Sequence, residues 1–365
     1  MSGKRSHDAT GASVVRALRI GLPGSQAPAQ DVTRAAARAE EEGYASIWWA
    51  DRLMGWLPRG PHALLDPFTV MAASAVRTSR IVLGTAVADP LRRHPAQLAQ
   101  TALSLQQLSG GRLTLGVGCG EVAGTLPYGI SYEKPVARLE EAIHVLRLLW
   151  TSREPVSFDG TYYRLDRAIC GLAETVEPPP VWVAAHRPRM LRITGRLADG
   201  WMPTAHGPLA YASQLGDIRA AEAGAGRPAG SVEAGAFLWL VAAESKERAR
   251  ELFAAPSLRA LGLLLPGGAL QSSPLREGPF AHLVPTDPAM LDLVPQIDPA
   301  ELASVIPHGT PEQIAEEVRR YVDAGAEHVV LCDMAAASGL DPGHGLKPLD
   351  VYAAIRAALG VPAEP

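Results

Sequence analysis

Ser46-Ile-Trp-Trp-Ala-Asp-Arg-Leu-Met-Gly-Trp56 is the stretch on which the fold turns. Residues 46–50 form a short apolar run with two adjacent tryptophans, just after a helix-like segment that stops at Gly43. Such a run reads as a buried strand. Asp51 and Arg52 then appear abruptly, ahead of Gly55 and a loop carrying Pro58 and Pro61. Two opposite charges at the carboxyl end of a buried strand stand where an α/β barrel keeps its chemistry. A plainer reading stays open on this stretch alone: Asp51 pairs with Arg52 or caps the next turn.

Working outward, strand and helix alternate. Residues 18–23, 80–87 and 112–117 read as strands, and 29–42, 67–78, 95–109 and 135–150 as helices. After an excursion at 151–178, with hairpin chemistry at Asp159-Gly160, the alternation resumes. Strands fall at 181–185, 200–203, 232–243 and 328–332, and helices at 187–197, 211–223, 310–324 and 349–359. Thr310 is placed to cap its helix, with Pro311 in the first turn. Eight strand candidates with intervening helices predict a (β/α)8 TIM barrel of about 250 residues plus insertions. The expected layout is a polar N-terminal tail over 1–16 and a single barrel domain over 17–361. Its insertions are 151–178 and 256–309, the latter rich in proline, leucine and glycine and weakly periodic.

The 365 residues are 47% hydrophobic and 20% charged, with a net charge of −4. No global basic field invites nucleic acid or an anionic membrane. No stretch approaches the ~20 apolar residues of a spanning helix. Cys119, Cys170 and Cys332 are sparse and odd in number, which points to a reducing compartment, hence the cytoplasm, and away from a disulfide scaffold. No metal-type spacing and no Ser/His/Asp or Cys/His constellation is readable.

Three further stretches carry candidate chemistry. Gly116-Val-Gly-Cys-Gly-Glu121 follows a strand. Its glycines let backbone N–H groups approach an anion or flat ring, or they serve a turn packed on itself, with Glu121 a plain helix-entry acid. Val183-Ala-Ala-His-Arg-Pro-Arg189 opens a helix and offers a phosphate site, or a solvated turn with His186 a bystander. Arg92-Arg-His-Pro95 is an anion site or a charged loop paired with Asp89. Trp48, Trp49 and Trp56 line a ring-shaped ligand or fill the core.

Taken together, these stretches resemble the luciferase-like superfamily of flavin and deazaflavin barrels, over residues 18 to 360. Residues 46–51, Gly84-Thr-Ala-Val87, 116–121 with Tyr128-Gly129, and Thr310-Pro-Glu-Gln-Ile314 carry the likeness in order. Arg92-Arg-His-Pro95, Lys134-Pro-Val-Ala-Arg138, 181–192 and 195–201 resemble the branch using coenzyme F420, the phthiodiolone ketoreductases and glucose-6-phosphate dehydrogenases among them. The resemblance implies an oxidoreductase using reduced F420, with FMN the alternative carrier for a monooxygenase and a non-catalytic binding barrel a third reading. It implies a carrier ring against a third-strand bulge, Thr85-Ala86-Val87, with a non-proline cis peptide at Ala86-Val87. Asp51 matches the acid that approaches the ring. Trp56 and Glu121 match the tryptophan and glutamate of substrate and proton chemistry. Gly118, Cys119 and Gly120, with Ala184, Ala185, His186 and Arg187, complete the implied cofactor contacts. The residue after the aspartate is usually histidine in this branch and here is Arg52. Arginine does not shuttle protons, so Glu121 becomes the proton candidate and Arg52 an electrostatic one. The expected substrate is a small molecule or one borne on a carrier or peptide, and the expected assembly is a homodimer.

Overall fold

Short apolar runs pair into a closed ring of parallel strands. In chain order the strands are β1 (Arg19–Pro23), β2 (Ser46–Trp49), β3 (Val82–Thr85), β4 (Leu113–Val117), β5 (Val156–Asp159), β6 (Arg164–Ala168), β7 (Val181–Val183), β8 (Gly200–Trp201), β9 (Glu233–Ala242), β10 (His308–Gly309) and β11 (His328–Asp333). Eight of them, β1-β2-β3-β4-β7-β8-β9-β11, pair in that order, and β11 returns to β1. With helices between successive strands, this is the expected (β/α)8 TIM barrel. The computed structural model describes residues 19–23, 29–53, 64–204, 207–265, 292–345 and 347–364.

All four residues of β2 are buried, because the barrel interior covers one face and the helical layer the other. Trp49 joins the core between strands and helices. Trp48 points inward and meets Trp182 at 5.4 Å between ring centroids. Glycines make room for these rings: a Cβ on Gly84 would lie 2.1 Å from the Trp48 ring, and one on Gly200 2.3 Å from that of Trp182. Beneath them the Trp48 indole N–H donates to Ser46 Oγ, which contacts His328 Nε2, both at 2.7 Å.

Helix starts follow their local chemistry. Asp66 caps the helix Pro67–Ala75 by accepting from the Thr69 N–H, and Thr310 and Gln313 form a full capping box on Pro311–Asp323. The helix Pro208–Gly224 begins earlier than its apolar spacing suggests, since Pro208 suits a first turn.

The excursion at 151–178 contains the antiparallel hairpin β5–β6. Its Tyr163 hydroxyl donates to the Pro90 carbonyl at 3.2 Å, tying it to the loop after β3. The weakly periodic 256–309 segment is more ordered than its pattern implies. Its described parts form short helices Pro256–Arg259 and Pro299–Val305, 3-10 turns Ala260–Leu263 and Val294–Gln296, and β10, which pairs with the overhanging end of β9. Their apolar residues, Leu258, Leu261, Ile297 and Leu302 among them, close around Val241 and Phe253 as a second core.

Candidate active site

The carboxyl ends of the strands surround a cavity of about 460 Å³. Asp51 follows β2 directly and is buried. It accepts from the Asp89 backbone N–H at 3.2 Å, from Arg92 Nη2 at 2.8 Å and from Arg93 Nε at 3.3 Å. Arg92 also holds Asp89 through Nε at 3.1 Å, and Arg93 reaches on to Asp66. Donors from three residues converge on one carboxylate, so Asp51 is a fixed acceptor.

Arg52 turns the other way. Its Nη2 lies 2.9 Å from Glu121 Oε1, with 11% of the arginine side chain and 32% of the glutamate side chain exposed. Burial lowers the Arg52 pKa to about 9, against the pull of Glu121 upward and with a further push down from Arg92. It remains a cation at neutral pH. Burial also raises the pKa of Glu121. Arg52 and Arg92 draw it back, and Asp89 adds to the rise. Glu121 occupies the cap position of the 3-10 turn Val122–Gly124, yet its side chain makes no capping bond and lines the cavity instead.

The cavity floor is nearly bare backbone. Ala50, Ala86, Ala88, Gly118, Gly120 and Ala184 line it, with Trp48 below. The peptide Ala86–Val87 is cis. Gly116 and Gly118 are required by close packing on the loop after β3. A Cβ on Gly116 would stand 2.0 Å from the Thr85 carbonyl oxygen, and one on Gly118 2.7 Å from Val87. The turn is therefore packed on itself and also faces the cavity, so the two sequence readings of these glycines coexist.

The luciferase-like monooxygenase family matches residues 12–328. The chain belongs to this family. The phthiodiolone/phenolphthiodiolone dimycocerosates ketoreductase of Mycobacterium kansasii is 33% identical over 318 residues, 79% of this chain and 87% of that protein. The F420-dependent glucose-6-phosphate dehydrogenase of Nakamurella multipartita is 30% identical over 301 residues, 81% of this chain and 84% of that protein. Among solved structures, an F420-dependent secondary alcohol dehydrogenase in complex with an F420-acetone adduct superposes with a TM-score of 0.78 at 22% identity, covering 94% of this chain and 99% of that one. That likeness speaks for the fold.

Within the luciferase-like frame, the structure gathers Asp51, Arg52, Ala86, Val87, Gly118, Cys119, Gly120, Glu121, Ala184 and His186 around one cavity. Three residues named from the sequence lie outside its lining. Thr85 is fully buried and donates its hydroxyl to the Gly116 carbonyl at 2.7 Å. Ala185 is buried and accepts from Trp201 Nε1 at 2.9 Å. Arg187 is exposed at the start of the helix Pro188–Leu197, without a side-chain cap. Trp56 falls outside the described residues. Asp51 does not pair with Arg52; each has taken a different partner because they point to opposite sides of the loop. The sequence offers Arg92 as part of an anion site or of a charged loop paired with Asp89; the pairing is present, and both residues line the cavity. The apolar lining residues Phe237, Trp239, Leu261, Leu264 and Met334 gave no signal, since each reads as ordinary core.

Proposed function

We propose that this protein is a coenzyme F420-dependent oxidoreductase that reduces a carbonyl or activated C=C in a secondary-metabolite-type substrate. The observation that carries the reading is the Arg52–Glu121 pair: an acid of raised pKa beside a buried cation, above a floor of bare backbone. The names of two relatives support it, one a ketoreductase and one F420-dependent.

The residues present suit such a cofactor. Alanine and glycine at 50, 86, 118, 120 and 184 leave room and backbone polar groups for a flat ring. The amino end of the helix Pro188–Leu197, beside the exposed Arg187, suits an anionic tail. When bound, F420 supplies a hydride. The chain then has two tasks, to hold the oxygen that gains charge and to deliver a proton to it. Arg52 donates hydrogen bonds to that oxygen from a desolvated guanidinium. Glu121 holds the proton on its carboxyl, where burial favours the neutral form. Asp51, saturated with donors, orients Arg92 and Arg93. Among the described residues no helix is long and apolar enough to cross a membrane. A homodimer acting in the cytoplasm belongs to the same proposal.

Titration of the protein with F420 and with FMN tests the assignment, followed by a screen of ketones and enones with the reduced carrier. Tighter binding of F420 and substrate-dependent cofactor oxidation are expected. Tight FMN binding with oxygen uptake would overturn it in favour of a monooxygenase. Unchanged cofactor affinity and turnover in Asp51→Ala and Glu121→Gln would favour a non-catalytic binding barrel.

A further inference from the structure

The cavity has two unlike halves. Every aspartate, glutamate and arginine in its described lining comes from the loops after β2, β3 and β4. Each of these side chains already has a partner within the cluster: Arg52 with Glu121, and Arg92 with Asp51 and Asp89. Across the barrel, the wall is built by Phe237 and Trp239 of β9, Leu261 and Leu264 of the following segment, and Met334 and Ala337 after β11.

This wall is preformed. Leu261 is 1% exposed inside the second core, and Trp239, Leu264 and Met334 pack against that core without being fully buried. Phe237 and Trp239 alternate with the fully buried Ala236, Leu238 and Leu240, so their uncovered faces turn into the cavity. An apolar surface held open by its own core, opposite a polar cluster whose side chains are already paired with one another, matches an amphipathic and uncharged ligand.

Resting on the F420-dependent reading, we infer that the substrate is a neutral ketone or enone whose apolar body lies on this wall while its oxygen meets Arg52. A phosphorylated sugar is the wrong class: its phosphate would have to displace the carboxyl partners that Arg52 and Arg92 already hold, and it would leave the wall uncovered.

The test is equilibrium binding of a homologous series from 2-butanone to 2-undecanone to the full chain. Tryptophan fluorescence and calorimetry report it, with glucose 6-phosphate and dihydroxyacetone phosphate as anionic comparators. Kd should fall about two- to fourfold per added methylene until the wall is covered. The heat-capacity change should grow more negative along the series, and both phosphates should bind at least about tenfold more weakly than the long ketones. Leu264→Ala and Met334→Ala should weaken 2-undecanone several-fold more than 2-butanone, with Leu264→Met restoring most of the difference. A flat series in the parent protein, or tighter binding of either phosphate, would overturn the inference. Cofactor affinity is measured separately. A steep series without F420 binding would sink the functional proposal alone, and F420 binding with a flat series would sink the substrate class alone.

Discussion

Replacing Arg52 is the most informative single perturbation. Arg52→Ala removes a cation 2.9 Å from Glu121 and one of the two charges that hold the Glu121 pKa down. At an effective dielectric of about 20, unit charges ~4 Å apart interact by about 4 kcal/mol, an upper bound that solvent at the third-exposed glutamate reduces. Loss of one preorganised donor to a developing oxyanion costs on the order of 10²–10³ in rate, which falls within the same bound. The pH dependence gives a second, independent handle. Reduction needs Glu121 protonated, so kcat/KM with reduced F420 should decline as pH rises through its raised pKa. Without Arg52 that decline should move to higher pH, because the group drawing the pKa down is gone. Arg52→Lys should retain part of the rate and leave the decline nearer its original place. Arg52→His should introduce a new dependence near pH ~6–7. The assay is steady-state kcat/KM across pH for the parent and the three variants. Activity of Arg52→Ala within a few-fold of the parent, with an unmoved alkaline decline, would refute the role given to Arg52.

Glu121→Gln should abolish the alkaline decline and lower kcat by about 10²–10⁴ while F420 affinity, read by titration, changes little. Asp51→Asn leaves Arg92 and Arg93 with a weaker common partner; chemical denaturation should show a loss of up to about 3–5 kcal/mol, and cofactor affinity should fall as well. Gly116→Ala forces a Cβ against the Thr85 carbonyl, so soluble yield and melting temperature should both drop sharply. Asp333 is buried between the lining residues Cys332 and Met334, and burial raises its pKa to about 6. A raised carboxylate contributes stability that is complete below its unfolded value and is lost as pH rises through the folded one. Denaturation between pH ~4 and ~6 should therefore show a decline of up to about 3 kcal/mol that Asp333→Asn flattens.

The barrel was legible because each of its eight strands is a short apolar run bracketed by breakers, and a run of that kind survives in a single sequence. Boundaries slipped where the backbone leaves the ring. Residues 80–87 read as one strand, but pairing stops at Thr85, and Ala88 touches β4 only through an isolated bridge to Val117. The 256–309 segment hid its order because helices and turns of three to seven residues are too short to repeat a period. In the site, Asp51, Arg52 and Glu121 stood out as charges ending apolar runs. Who pairs with whom did not, since the partners of Asp51 lie about 40 positions onward and depend on the geometry of closure.

The unlike halves of the cavity are also separate along the gene. The polar cluster is encoded between positions 51 and 121, and the apolar wall between 237 and 337. Between them lies the helix Pro208–Gly224, which contributes nothing to the lining. A crossover in that helix would exchange one wall intact and leave the other untouched. Recombination between relatives can thus pair one chemistry with a new set of molecules in a single event, and point mutations in the wall can be inherited without disturbing the proton donor. The ring that brings the two stretches face to face lets them evolve apart.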